Sequence, residues 1–260
     1  MTAENHGSIA LAIDGPVATI ALDRPAKLNA LTPEMLEQLF DLLGDVRRSE
    51  ARVVVVRGNG DRAFCVGADI NRFADLNSVQ MLDWTGRGHR VFDALAALPQ
   101  PSIAVLHGPV FGGGLELALA CDLRIASDTA TFGLPEVGLG TVPGWGGTER
   151  LVELAGRSRA KEVILARRTL DARTALEWGV VNQVADPAGL EAAAAELAER
   201  ICAAGPVAVR IAKTLIDAAA DGAPSRVLEQ LGGAVTSATQ DLSAGITAFR
   251  SRTTPTFSGN

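Results

Sequence analysis

The chain has 260 residues, 47% of them hydrophobic and 21% charged, with 43 Ala and 27 Gly but an aromatic share of only 4%. Such a composition excludes disorder and describes a globular chain long enough for a large core, or for one domain and an appendage. With 24 basic against 30 acidic residues the net charge is −6 and no Lys/Arg-rich block occurs, which argues against nucleic-acid binding, and the absence of Tyr removes every mechanism that needs a phenol. Cys65, Cys121 and Cys202 are odd in number and form no CxxC, the pattern of small core residues in a reducing compartment. The first ten residues carry no basic segment followed by an apolar one, and no run approaches about 18 uninterrupted apolar residues, so a cytoplasmic protein without membrane contact is expected.

In chain order, Ile9 to Ile13 and Val17 to Leu22 flank Asp14-Gly15 and read as a β-hairpin. Thr32 before Pro33 is a helix start, and Met35, Leu36, Leu39, Leu43 and Val46 supply the apolar stripe of a helix ending near Arg48. Val53 to Val56 is an uninterrupted β-branched run, the mark of a strand covered on both faces. A helix over about Val79 to Leu98 is stopped by Pro99 and Pro101, and Ile103 to Leu106 is the next buried strand. Gly112-Gly113-Gly114 opens a helix from Leu115 to Cys121, Leu123 to Ala126 is a strand, and Thr131 to Gly147 reads as loop. Beyond residue 150 helix signals recur, with Asp171 and Asp186 as caps, Pro187 and Pro206 at starts, and Gly179 and Gly205 at stops. The expected organisation is a β/α core over 1–200 and a helical C-terminal part over 201–260.

Common catalytic signatures fail one by one. No Gly-Lys dipeptide exists for a P-loop, no G-x-S-x-G elbow for a serine hydrolase, and Gly138-Leu139-Gly140 runs into Pro143 where a dinucleotide fingerprint needs its third Gly. His6, His89 and His107 lie far apart with no ligand spacing, so no metal is expected. What remains is carboxylates and backbone. Two turns, Ala63 to Ile70 and Phe111 to Glu116, place small residues where main-chain N–H groups can approach a ligand, and together they could form a two-donor oxyanion hole. Taken singly, each is more simply a tight turn packed under a helix. Glu116 and Glu136 sit in apolar surroundings that would raise their pKa toward a value useful for proton transfer, although a Glu in a first helical turn and a Glu in a loop also have plainer explanations.

Read together, these segments resemble the crotonase, or enoyl-CoA hydratase/isomerase, superfamily. The hallmarks occur in order: Leu22-Asp23-Arg24-Pro25-Ala26-Lys27-Leu28-Asn29-Ala30-Leu31, Ala63 to Ile70, Gly108 to Asp122, Phe132 to Gly140, and Pro143-Gly144-Trp145-Gly146-Gly147-Thr148. The resemblance spans about Ile9 to Arg252. It implies an α/β fold in which ββα turns spiral into two roughly perpendicular sheets, with C-terminal helices that assemble a homotrimer or a homohexamer. It implies an acyl-CoA thioester as substrate and no cofactor beyond that CoA. The N–H groups of Ala68 and Gly113 would hold the thioester oxygen as it becomes an enolate oxyanion. Ala68, Asp69, Ile70, Lys27, Gly113 and Gly144 would border the CoA, and Arg24, Lys27, Arg72 and Arg252 are candidates for its phosphates.

Members that hydrate enoyl-CoA carry two Glu at the positions of Glu116 and Glu136, and both are present. The resemblance therefore implies a hydratase acting in acyl-CoA degradation, with isomerisation or thioester hydrolysis on the same site as alternatives. Tyr-dependent and Asp-nucleophile chemistries of the superfamily are disfavoured, because there is no Tyr and no Asp between Pro135 and Glu149. The acyl pocket is expected from Arg72 to Arg90, with Phe73, Leu76, Met81, Leu82 and Trp84. Trp145, where members usually carry a smaller residue, is expected to narrow or reshape that pocket beside Glu136.

Overall fold

The N-terminal hairpin pairs β1 (Ser8–Asp14) with β2 (Val17–Asp23), turning at Gly15 in the left-handed region. The chain continues into α1 (Pro33–Arg48), whose Thr32 side chain accepts the Met35 N–H, and then into β3 (Val53–Gly58). After a loop and α2 (Ser78–Ala96) come β4 (Ser102–Leu106), β5 (Pro109–Phe111), α3 (Gly113–Ala120), β6 (Leu123–Ser127) and β7 (Thr131–Gly133). The computed structural model describes residues 7–260, and His6 lies outside them.

A six-stranded sheet has the order β1-β2-β3-β4-β6-β9, where β9 is Gln183–Ala185, and every pairing beyond the hairpin is parallel. Each parallel step needs a crossover, and α1, α2 and α3 supply the first three. Alternation along the strands explains the uninterrupted Val run. Val54, Val56, Ala104 and Leu106 point into the main core with α1 and α2, whereas Val53, Val55, Ile103 and Val105 meet Leu190, Ala194 and Ala198 of α7 (Leu190–Cys202). Both faces are dry, so neither can be polar.

The second sheet that the resemblance implies joins β5, β7 and β8 (Leu170–Asp171), strands that local patterning does not show, since it reads Thr131 to Gly147 as loop. Strands of two or three residues show no periodicity, and these form because Val110 and Phe132, both fully buried, pair across the top of the core. Two helix boundaries also differ from expectation. Asp186 accepts the Gly189 N–H in a turn, so the helix expected from Pro187 begins at Leu190, and Gly205 is the N-cap of α8 (Pro206–Ala220) rather than a stop for α7. Between β7 and β9 run α4 (Gly147–Ala155), α5 (Arg157–Leu165) and α6 (Ala172–Glu177), the last capped by Asp171 as read.

The chain ends in α8, α9 (Ser225–Ser237) and α10 (Gln240–Ser251). Lys213 of α8 reaches Asp122 at 2.7 Å, and Asp122 also accepts the Ser102 N–H and hydroxyl. Arg52 donates to the carbonyls of Cys202 and Phe257. These polar ties hold helices that bury little of their own apolar surface: Ile216, Val227, Leu231, Val235, Ile246 and Phe249 are all exposed. No helix among the described residues is long and apolar enough to cross a membrane. Burial pushes the Cys65 and Cys121 thiols up to about 12, so both stay protonated as inert core residues.

Candidate active site

Where β2 ends, Leu28 and Asn29 adopt left-handed backbone angles, an unusual conformation for which Asn is suited. The Asn29 amide then donates to the carbonyls of Asn59 and Ala63, each at 3.0 Å, while its oxygen accepts the Arg24 N–H. Arg24 donates to the Ala30 carbonyl and to Asp69 at 2.7 Å. On the facing segment, Leu31 donates to the Gly67 carbonyl and receives the Asp69 N–H, both at 2.8 Å. Ala68 is thus clamped from both sides, and among the described residues its own N–H donates to no protein group.

The second donor comes from the α3 N-terminus, whose first N–H groups have no intrahelical acceptor. Gly112 has φ +54 and donates to Gly133, which turns Gly113 toward the 65–68 segment. Approach is so close that a Cβ on Gly67 (φ +97) would stand 2.9 Å from Gly113 N and 3.0 Å from Phe111 O. Two unspent N–H groups, of Ala68 and Gly113, line one cavity of about 200 Å³. Such a pair can stabilise charge developing on a carbonyl oxygen.

Glu116 and Glu136 line the same cavity. Glu116 is 2% exposed, and its Oε1 accepts the N–H groups of Trp145 at 2.8 Å and Gly147 at 2.9 Å. Burial raises its pKa, and the Trp145 and Gly147 amides oppose that by favouring the ionised form. Glu136 stands in a short 3₁₀ turn with Oε2 buried and without a hydrogen-bond partner. Burial pushes its pKa up to about 7; a bond from its own main chain offsets part of the rise, and the Glu116 charge adds to it. The two carboxylates therefore differ: one is fixed by backbone donors, the other is free to exchange a proton near neutral pH.

Ile70 and Gly144 also line the cavity. Asp69 does not; its carboxylate is held by Arg24 and the Asn71 N–H, so its part here is to brace the loop carrying Ala68. Arg24 is buried in that pair and is not presented to a phosphate, and Arg72 is paired with Glu34. Lys27 is exposed beside the loop, and Arg252 lies at the end of α10. Of the expected acyl-pocket residues, Phe73, Met81 and Trp84 line the cavity, Leu76 packs on the core behind it, and Leu82 faces out.

Sequence reasoning missed Gly88. Gly88 lies inside α2, where Gly costs about 1 kcal/mol relative to Ala. That mid-helix Gly is the signal that could have found it, because a Cβ there would overlap the Trp145 indole.

The Arg24–Asp69 pair yields a direct expectation. Although burial alone would raise the Asp69 pKa, Arg24 and Asn71 together lower it below the ordinary 3.8. Its stabilisation is therefore full above that value and fades as the pH falls below it. Arg24→Met leaves a mostly buried carboxylate unpaired and should cost about 3 kcal/mol in urea unfolding. A loss under about 1 kcal/mol, the size of an exposed pair, would show that the pair does not brace the loop.

The sequence model of the enoyl-CoA hydratase/isomerase family matches residues 12–260. The chain is 39% identical over 211 residues to the short-chain-enoyl-CoA hydratase of Clostridium acetobutylicum, covering 81% of each, and 35% identical over 250 residues to the crotonyl-CoA hydratase of Syntrophomonas wolfei, covering 94% of this chain and 95% of that one. The crystal structure of an enoyl-CoA hydratase from Bacillus anthracis superimposes with a TM-score of 0.93 at 37% identity, over 97% of this chain and 99% of that one. The chain belongs to the enoyl-CoA hydratase/isomerase family and has the crotonase fold.

Proposed function

We propose that the protein is an enoyl-CoA hydratase that adds water across the 2,3 double bond of an enoyl-CoA thioester. The observation that carries this reading is the unequal pair of carboxylates on one cavity beside two unspent N–H groups. The thioester oxygen would accept the Ala68 and Gly113 N–H groups, drawing electron density from Cβ. A water held between the carboxylates would attack Cβ and give its proton to Glu116, while Glu136 delivers a proton to Cα. Syn addition follows because both groups act from one side. The resulting 3-hydroxyacyl-CoA keeps its thioester, and proton exchange, in which Glu116 gives up the proton it took from water and Glu136 regains one, restores the carboxylate of Glu116 and the acid form of Glu136.

Loss of enoyl absorbance on crotonyl-CoA, with a product heavier by one water and no free thiol, is the expected result. Release of thiol would instead assign hydrolysis, and a 3-enoyl product of unchanged mass would assign isomerisation; either overturns the reading. Glu116→Gln should abolish hydration more severely than any isomerisation, which needs only Glu136 to carry a proton from Cα to Cγ. Equal losses would show that Glu116 holds no water. The exposed apolar residues of α9 and α10 support packing of further copies into a homotrimer or homohexamer, which light scattering would register as a multiple of the 27.0 kDa chain.

A further inference from the structure

Resting on that hydratase reading, we infer that Trp145 closes the far end of the acyl cavity and confines the enzyme to short, uncharged enoyl groups. The indole is 3% exposed and meets Trp84 edge-on at 5.2 Å and Phe92 at 5.4 Å. Its two ends rest where side chains are missing. A Cβ on Gly88 would overlap Nε1 and Cδ1, and a Cβ on Gly113 would overlap the six-membered ring. The ring therefore spans from the middle of α2 to the N-terminus of α3, next to the N–H group assigned to the thioester oxygen. Its root is fixed as well, since the Trp145 N–H donates to Glu116.

Elsewhere the cavity wall is open to solvent. Ile70, Leu139 and Val142 line it while remaining 50%, 61% and 67% exposed, which gives the CoA arm its entrance. An acyl chain entering there runs toward Trp84 and Trp145 and meets rings packed edge to face within the buried core. The cavity volume of about 200 Å³ lies below the roughly 300–1,000 Å³ of sites that take drug-sized ligands. Among the described residues none that lines the cavity is Lys, Arg or His, and two are Glu. A carboxylated acyl tail would find no counter-charge there and would be repelled by the Glu116 carboxylate.

The test is kcat/KM for crotonyl-, hexenoyl-, decenoyl- and glutaconyl-CoA on the full chain and on Trp145→Ala. Wild type should favour crotonyl- over decenoyl-CoA by at least about a hundredfold, and the variant should shrink that ratio by about tenfold or more, within the range set by methylene-sized changes in a pocket. Because the variant could fold poorly, competition by butyryl- and decanoyl-CoA on wild type supplies an independent reading, with butyryl-CoA expected to bind more tightly. Gly88→Ala should impair crotonyl-CoA turnover in the wild-type background and be tolerated beside Trp145→Ala. Equal use of decenoyl- and crotonyl-CoA, turnover of glutaconyl-CoA at the crotonyl rate, an unchanged chain-length ratio in folded Trp145→Ala, or tighter binding of decanoyl-CoA would overturn the inference while leaving the hydratase reading intact. Failure to hydrate any of these thioesters would overturn the hydratase reading, and the inference with it.

Discussion

Glu136→Gln is expected to lower kcat for hydration by about two orders of magnitude or more, the usual size of an acid/base contribution. The variant keeps the shape of the side chain and loses the proton. Because the wild-type carboxyl is pushed up to about 7, its acid form is well populated at neutral pH, and hydration by the free enzyme should decline as the pH rises above that value. On the acid side the rate should fall as Glu116 is protonated, giving a bell. The same substitution has an opposite effect on stability. A carboxyl whose folded pKa lies above the ordinary 4.5 contributes stability that is full below 4.5 and lost as the pH climbs through about 7. At pH above 7 wild type carries an ionised group with a buried, unpartnered oxygen, so Glu136→Gln should then melt at a higher temperature than wild type, and the difference should vanish in mild acid. Unchanged turnover, measured on crotonyl-CoA, would remove Glu136 from the mechanism.

Gly67→Ala is the second large effect. A methyl there stands 2.9 Å from Gly113 N and 3.0 Å from Phe111 O, so one of the two proposed donors must move or be screened. Loss of a single oxyanion donor costs about a hundredfold to a thousandfold in kcat, and a loss of that size is expected here with KM much less affected. Strain from φ +97 would by itself destabilise the variant. Gly15→Ala separates the two effects, since Gly15 also has positive φ but a Cβ there meets nothing within 4 Å. Gly15→Ala, at φ +52, should share part of the strain and retain full turnover. If folded Gly67→Ala also kept full turnover, the Ala68 and Gly113 amides would not be the donors. Gly113 is a poorer place to make this test, because any side chain on it collides with Trp145 before the donor itself is probed.

Positioning of the two acids fits the division of labour proposed for them. Glu116 is carried on α3, a rigid element buried throughout, and its carboxylate is held by amides from the loop that leads into α4. Glu136 sits on a short turn that follows β7, with less to hold it. A base that orients water benefits from fixed geometry, while a group that gives up and regains a proton benefits from access to solvent.

By itself the sequence determined the elements whose signals are local: the hairpin around Gly15, the helix capped by Thr32, the doubly covered strands at Val53 and Ile103, and the glycine turn into α3. It also determined which residues could do chemistry, because a chain without Tyr and with scattered His leaves Glu and main-chain N–H groups. The tertiary structure alone decided what non-local contacts decide. The short strands β5, β7 and β8 exist only through each other, so no periodicity announced them. Arg24 and Asp69, both plausible at a CoA site by motif, are spent on one another because the fold brings residues 45 apart in sequence to 2.7 Å. Trp145 was legible as a large ring in a loop, but its role depends on Gly88 and Gly113, two distant positions where a missing side chain leaves the space the ring fills. Close packing makes that complementarity specific, and packing is a property of residues that meet in space and not along the chain.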